Sequence, residues 1–204
     1  MFFFGLDLGK RRDPSTIAAI EVPDTHTTFH LAGPPPREVV LRFLETMELK
    51  TPYTEVVRRA SAVLNHTAVP GNKRLAVDAT GVGEPVVEML VKARLPCELM
   101  PIVITGGYNE YKSGRIWYVP KLDLLAGLQA LFESEELKLA KNLPELPQLI
   151  KELLSVKYEF GVSRKIHIGA EGHREHDDRV MALALACWAA RRYRHPEPGG
   201  RLFW

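Results

Sequence analysis

The segment DRVMALALACWAAR, residues 178–191, limits what this chain can fold into more than any other stretch. A helix over 177–192 is predicted, and it is apolar on almost every side, so it belongs in an interior and not on a surface. Met181, Ala184, Leu185 and Trp188 recur at helical spacing, and small residues at 182, 184, 186, 189 and 190 allow a close approach to a sheet. Its entrance is polar: His176, Asp177 and Asp178 stand at the lip of something buried. Capping and the helix macrodipole favour an acid there. One aspartate would satisfy that; two aspartates and a histidine exceed it.

Such a helix needs a sheet to lie on. Residues 2–7 (FFFGLD) form a short apolar run rich in aromatics, and 15–22 form a second after the turn-like Asp13-Pro14. Residues 27–33 are expected to make a third strand, giving a β-meander with Asp7 at the end of its first strand. Pro34-Pro35-Pro36 then opens a connection. Residues 51–67 read as a helix with Thr51-Pro52 as cap and first-turn proline. Residues 74–78 (RLAVD) are a compact strand ending in an acid, followed at once by a helix carrying Val86, Val87, Leu90 and Val91, and by another strand over 97–105. That is a strand, helix, strand crossover with Asp78 at its first switch. Helices are expected at 120–131 and 146–156, and a hairpin from 158–160 and 165–168. The predicted architecture is α/β, a mixed sheet covered by helices, in one domain over 1–193, with the Pro- and Gly-rich segment 194–204 as a loose tail.

The 204 residues, 46% apolar and 25% charged, suit one globular domain with a full core. Cys97 and Cys187 show no CxxC spacing, which argues against a structural zinc or a disulfide framework. With no signal peptide and no membrane-length apolar run, a cytoplasmic location and no membrane partner are expected. Net charge is only +2, so any nucleic-acid signal is local. Basic stretches at Lys10-Arg11-Arg12, 112–121, Arg164-Lys165 and 191–194 otherwise read as solvated surface.

The acids carry the chemistry. A carboxylate flanked by Phe4, Leu6 and Leu8 costs several kcal/mol to bury unpaired, so Asp7 needs a cross-strand Lys or Arg, an edge position or another offset. Asp78 could equally serve the turn that follows, since Asp-x-Thr-Gly is good turn chemistry. Gly81 and Gly83 match neither a dinucleotide-binding nor a Walker A spacing. Three carboxylate sites meeting at one sheet face would repel unless divalent cations neutralised them. Hard oxygen donors select magnesium or manganese over zinc, and carboxylates without a nucleophile motif suit two-metal phosphodiester hydrolysis.

GLDLGKRRDPST, AVDATGVGEPVVEML, VPKLDLLAGLQALFESEELKLA and HDDRVMALALACW, in this order and spacing, resemble the C-terminal nuclease domain of the large terminase subunit of tailed bacteriophages, over about residues 2–192. The resemblance implies a ribonuclease H-like fold and an endonuclease that cleaves double-stranded DNA with two Mg2+ or Mn2+ ions during genome packaging. It makes Asp7 the first-strand metal ligand, Asp78 the fourth-strand ligand and Asp178 the ligand at the start of the last helix. Asp177 is the next candidate, as ligand or as a group behind one. Periodicity does not choose between the two, so the preference for Asp178 rests on the family motif. His176, in the same motif, either orients a carboxylate, reaches a metal-bound water, or simply packs or caps the helix. Met181 stands where related resolvases carry a further acid. Duplex binding through phosphates makes Lys10, Arg11, Arg12, Lys112, Arg115, Lys121, Arg174 and Arg179 candidate DNA contacts.

Implied partners are an ATPase motor, a small terminase subunit or a portal protein, in a bacterial host cell with a phage or prophage origin. The chain contains no Walker A motif, so translocation is not expected of it alone. A Holliday-junction resolvase or RNA/DNA-hybrid nuclease, and a non-catalytic DNA-binding packaging module, are the alternatives. An actin-like phosphotransferase, suggested by Leu6-Asp7-Leu8-Gly9, is disfavoured because the chain is too short for two such lobes.

Overall fold

Every residue of the first strand except the last is buried, a pattern found only where a strand is central and covered on both faces. The computed structural model describes residues 1–9, 13–23, 38–81, 83–160, 166–170 and 177–193. In chain order the elements are β1 (Phe2–Asp7), β2 (Thr16–Glu21), β3 (Val39–Thr46), α1 (Tyr53–Leu64), β4 (Lys73–Asp78), α2 (Gly83–Lys92), β5 (Glu98–Thr105), β6 (Tyr111–Ser113), β7 (Ile116–Pro120), α3 (Lys121–Glu133), β8 (Leu137–Leu139), α4 (Leu146–Ser155), β9 (Val156–Phe160), β10 (Ile166–Ala170) and α5 (Asp178–Arg191). Among the described residues, eight strands form one mixed sheet in the order β6-β7-β5-β4-β1-β2-β3-β8, and β9 and β10 form a separate antiparallel hairpin. β1, β4, β5 and β7 run parallel, so their C-terminal ends share one edge of the sheet. No described helix is long and apolar enough to cross a membrane.

The period-2 alternation of the strands divides the core into two. Phe2, Phe4, Leu6, Leu75 and Val77 face α1 and α2. Phe3, Ala18, Ala76 and Ile102 face α5, which is itself covered on its far side by α3 and α4. That position, between sheet and helices, is why a helix apolar all round is stable here. Trp188 is fully buried, and its indole N–H donates to Glu110 (3.1 Å), fixing the C-terminal end of α5.

The centre of this contact is built from small residues. Gly5 pairs with Ala18 on one side and Ala76 on the other, which leaves a shallow trough across three strands. A Cβ on Gly5 would stand 1.9 Å from the Ala182 carbonyl oxygen and 2.7 Å from the Ala186 nitrogen. Both are backbone atoms of α5, so the helix could admit that methyl group only by lifting off the sheet.

Four strands differ from the sequence reading. The third strand expected at 27–33 falls outside the described residues; β3 lies instead at Val39–Thr46, paired antiparallel with β2 and parallel with β8. Its charges at Arg42 and Glu45 mask the alternation. β6 and β7 fall in a stretch read only as basic connection, and β8 is three residues long. At α1, Pro52 occupies the cap position without a side-chain bond, and the Thr51 hydroxyl turns back to the Glu48 carbonyl (2.6 Å). The tail at 194–204 lies outside the described residues.

Gly5→Ala is expected to destabilise the fold by about 3 kcal/mol, at or beyond the usual range for overpacking a tight interior. Urea unfolding of the two proteins measures it.

Candidate metal centre

Alternation that turns Phe3 and Gly5 toward α5 also turns Asp7 there, and Asp78 follows Ala76 in the same way. The two aspartates each come one residue after the last parallel couple, Leu6↔Val77, and so leave adjacent strands side by side. α5 begins over this edge. Asp7, Asp78, Asp177 and Asp178 thereby line one cavity of about 310 Å³, together with Leu8, Gly9, Asp13, Thr80, Ile104, Lys121 and Met181.

Each acid is held by its own local chemistry. The Asp78 carboxylate accepts the backbone N–H of Thr80 (2.7 Å), and the Thr80 hydroxyl accepts the N–H of Ile104 (2.7 Å), tying the exit of β4 to β5. After Asp7 the chain is pinned at Gly9, whose N–H goes to the Ser15 hydroxyl (3.0 Å) and whose carbonyl accepts the Tyr53 hydroxyl (2.9 Å). Asp177 pairs with the Lys121 ammonium at 2.6 Å. Asp178 is buried, 6% exposed.

Capping was the competing explanation for the aspartates of α5. Asp177, at the cap position, makes no side-chain cap bond. The free amides of the first turn are taken instead by Glu152 of α4, which accepts from Arg179 N (3.0 Å) and Val180 N (3.4 Å).

The cavity gathers five carboxylates, those of Asp7, Asp13, Asp78, Asp177 and Asp178, around one ammonium, that of Lys121. Asp7 keeps a partly open face on the cavity, yet its carboxyl is pushed well above the ordinary range. Burial is the main cause, with Asp78, Asp178 and Asp177 adding to it and Lys121 opposing. Among the described residues, no three His, Cys, Asp or Glu side chains stand close enough to hold a metal ion as they are. The donors line the cavity from separate elements without closing on a common point.

The candidate DNA contacts separate into three kinds. Lys121 lines the cavity. Lys112 and Arg115 sit on the exposed β6–β7 hairpin, Lys112 over the Trp117 ring at 4.9 Å. Arg179 points away from the cavity, bonded to Glu145 and Glu152 at 2.6 Å each, and serves as a tie between α4 and α5. Lys10, Arg11, Arg12, Arg174 and His176 lie outside the described residues. Sequence reasoning missed Asp13 and Thr80 as cavity residues, treating both as turn formers. The available signal for Asp13 was a second acid six residues after Asp7.

No protein-family model matches the sequence, and no curated protein matches it. Solved structures do. The large terminase nuclease from thermophilic phage G20c with bound magnesium is 24% identical, with a TM-score of 0.65 over 92% of this chain and 80% of that one. The large terminase nuclease domain of bacteriophage SPP1 with bound Mn is 13% identical (TM-score 0.51, 93% and 86%). The human cytomegalovirus terminase nuclease domain, Mn soaked and inhibitor bound, is also 13% identical (TM-score 0.55, 96% and 87%). This chain has the large terminase nuclease fold. That fold, ribonuclease H-like, is the one the four sequence motifs implied, and its mixed sheet is what sets Asp7 and Asp78 on adjacent strands.

The raised Asp7 carboxyl makes a signed prediction for metal-free protein. The folded state binds the proton more tightly than the unfolded chain, so stability falls as pH rises from the ordinary value of 3.8 through the raised folded value. Asp7→Asn should therefore be more stable than wild type at neutral pH, and the difference should vanish on acidification. Thermal melts across pH in chelator check both limbs.

Proposed function

We propose that this chain is a metal-dependent nuclease that hydrolyses the phosphodiester backbone of double-stranded DNA in genome packaging, with residues 1–193 as its nuclease unit. What carries the reading is the convergence of Asp7, Asp78, Asp177 and Asp178 from two adjacent strands and one buried helix on a single cavity. The fold shared with the terminase nucleases supports it, as do the magnesium and manganese in two of those structures.

The residues fit divalent cations. The donors are hard oxygens, the cysteines lie elsewhere, and the repulsion that Asp78, Asp178 and Asp177 add to burial at Asp7 is one that a cation would relieve. Asp7, Asp78 and Asp178 would hold two Mg2+ or Mn2+ ions, with Asp177 beside them. When bound, such ions supply an activated water and charge stabilisation for the leaving oxygen.

The rest is done by the chain. Asp78 is held in place by Thr80, and Asp178 by the buried start of α5. Lys121 balances Asp177 and presents an ammonium where a DNA phosphate enters. Met181 makes that part of the wall an apolar thioether, so the carboxylates of the cavity come from the strand ends, the loop at Asp13 and the start of α5. Water attacks phosphorus in line, the bond to the 3′ oxygen breaks, and the products are a 3′-hydroxyl and a 5′-phosphate. The β6–β7 hairpin, with Lys112 and Arg115, supplies further phosphate contacts. An ATPase motor, a small terminase subunit or a portal protein are the partners this activity calls for.

Asp78→Asn should stay folded by circular dichroism and cut plasmid DNA under Mg2+ or Mn2+ more slowly by a factor above the ~10–100-fold typical of groups that only support a ligand. Cleavage at the wild-type rate, or wild-type protein that retains DNA without metal-dependent nicking, would overturn the assignment. Linear duplex should be cut faster than a four-way junction or an RNA/DNA hybrid; the reverse order would move the substrate class to a resolvase or hybrid nuclease.

A further inference from the structure

Glu152 belongs to α4, which contributes nothing to the cavity wall, and it is only 9% exposed. A glutamate at such a depth must be compensated. Its compensation is unusual in direction: one carboxylate oxygen accepts two backbone N–H groups of another helix, those of Arg179 and Val180. The other oxygen accepts from the Arg179 guanidinium at 2.6 Å. The first bond within α5 itself runs from Met181 N to the Asp177 carbonyl (2.8 Å). Glu152 therefore does for α5, from outside, what a cap residue ordinarily does from its own side chain.

That substitution matters for the two aspartates. An Asp at a cap position ordinarily folds its carboxylate back over the second or third amide of its helix. With those amides already satisfied, the Asp177 carboxylate goes to Lys121, and both Asp177 and Asp178 line the cavity. The support continues outward. Arg179 Nε donates to Glu145 (2.6 Å), Glu145 accepts the N–H and hydroxyl of Thr46 (2.7 and 2.6 Å), and the Thr16 hydroxyl donates to that of Thr46 (3.2 Å). Thr16 is the cross-strand partner of Asp7. A hydrogen-bonded chain thus links the strand beside the first aspartate to the helix that carries the last.

We propose that Glu152 is a positioning residue of the metal centre: by capping α5 in place of Asp177, it leaves Asp177 to Lys121 and sets the first turn of α5 so that Asp178 faces the cavity as a cation ligand. The inference rests on the metal-centre reading above. It is tested by titrating Mn2+ into metal-free protein by calorimetry, with hydrogen exchange read at the Arg179 and Val180 amides. Glu152→Leu keeps volume and removes the acceptor; Glu152→Gln keeps an acceptor and removes the charge. The leucine variant should lose exchange protection at both amides and bind Mn2+ about 10–100-fold more weakly, the usual cost of removing a group that orients a ligand. The glutamine variant should keep the protection and stay nearer wild type in affinity, a rescue that a merely structural ion pair with Arg179 would not give.

Wild-type Mn2+ affinity in the leucine variant overturns the inference, as does a glutamine variant that loses affinity while its amides stay protected. The second outcome decides the matter even if the leucine variant does not fold. An Asp178→Asn control separates the two levels. If wild type and that control bind Mn2+ equally or not at all, the metal-centre reading fails and takes this inference with it; if only the Glu152 variants behave as wild type, the positioning role alone fails.

Discussion

The contact between Gly5 and the backbone of α5 is the one on which the rest depends. Layers that meet through full side chains are held well apart, about 10 Å for two sheets face to face. Here the row Ala18, Gly5 and Ala76 lets Ala182 and Ala186 settle almost onto the strand. Because the contact is backbone against backbone, it sets how close the helix lies to the sheet. The end of β1, the end of β4 and the start of α5 then coincide within one cavity. Three aspartates that are 71 and 100 residues apart in sequence become neighbours through packing of residues that carry no charge.

Concentrating those acids costs stability, and the surroundings show how the cost is contained. Burial and three neighbouring carboxylates push Asp7 up, Lys121 offsets part of this, and Thr80 and Gly9 lock the chain on either side. Behind the site, burial raises Glu152 despite Arg179 and two backbone donors. At Glu145 burial also acts upward, but the Thr46 donors and Arg179 outweigh it and leave the carboxyl lowered. The charged groups around the cavity thus fall into two sets: an outer set closed on itself by hydrogen bonds, and an inner set of carboxylates left facing one space. A local arrangement that opposes stability while its supports are complete is the mark of a functional site.

Much of this was legible in sequence, for identifiable reasons. β1, β2, β4, β5 and α5 are apolar runs bounded by turn residues, so their burial is written in composition, and Asp7, Asp78, Asp177 and Asp178 stand out against it. β3, β6, β7 and β8 owe their existence to pairing partners, and charges such as Arg42 and Lys112 hide their alternation. Arg179 read as a DNA contact because nothing local reveals partners 27 and 34 residues away. Glu152 carried no signal at all, since capping one helix from another is a tertiary event. Asp13 was visible but explained too readily as a turn.

One buried helix and two strand ends would together form the cation-binding centre of the proposed nuclease. Anomalous diffraction from crystals soaked in Mn2+ tests it most directly. Two manganese peaks a few ångströms apart, bounded by Asp7, Asp78 and Asp178, are expected. Manganese absent from that cavity, or bound there by other residues, would contradict it.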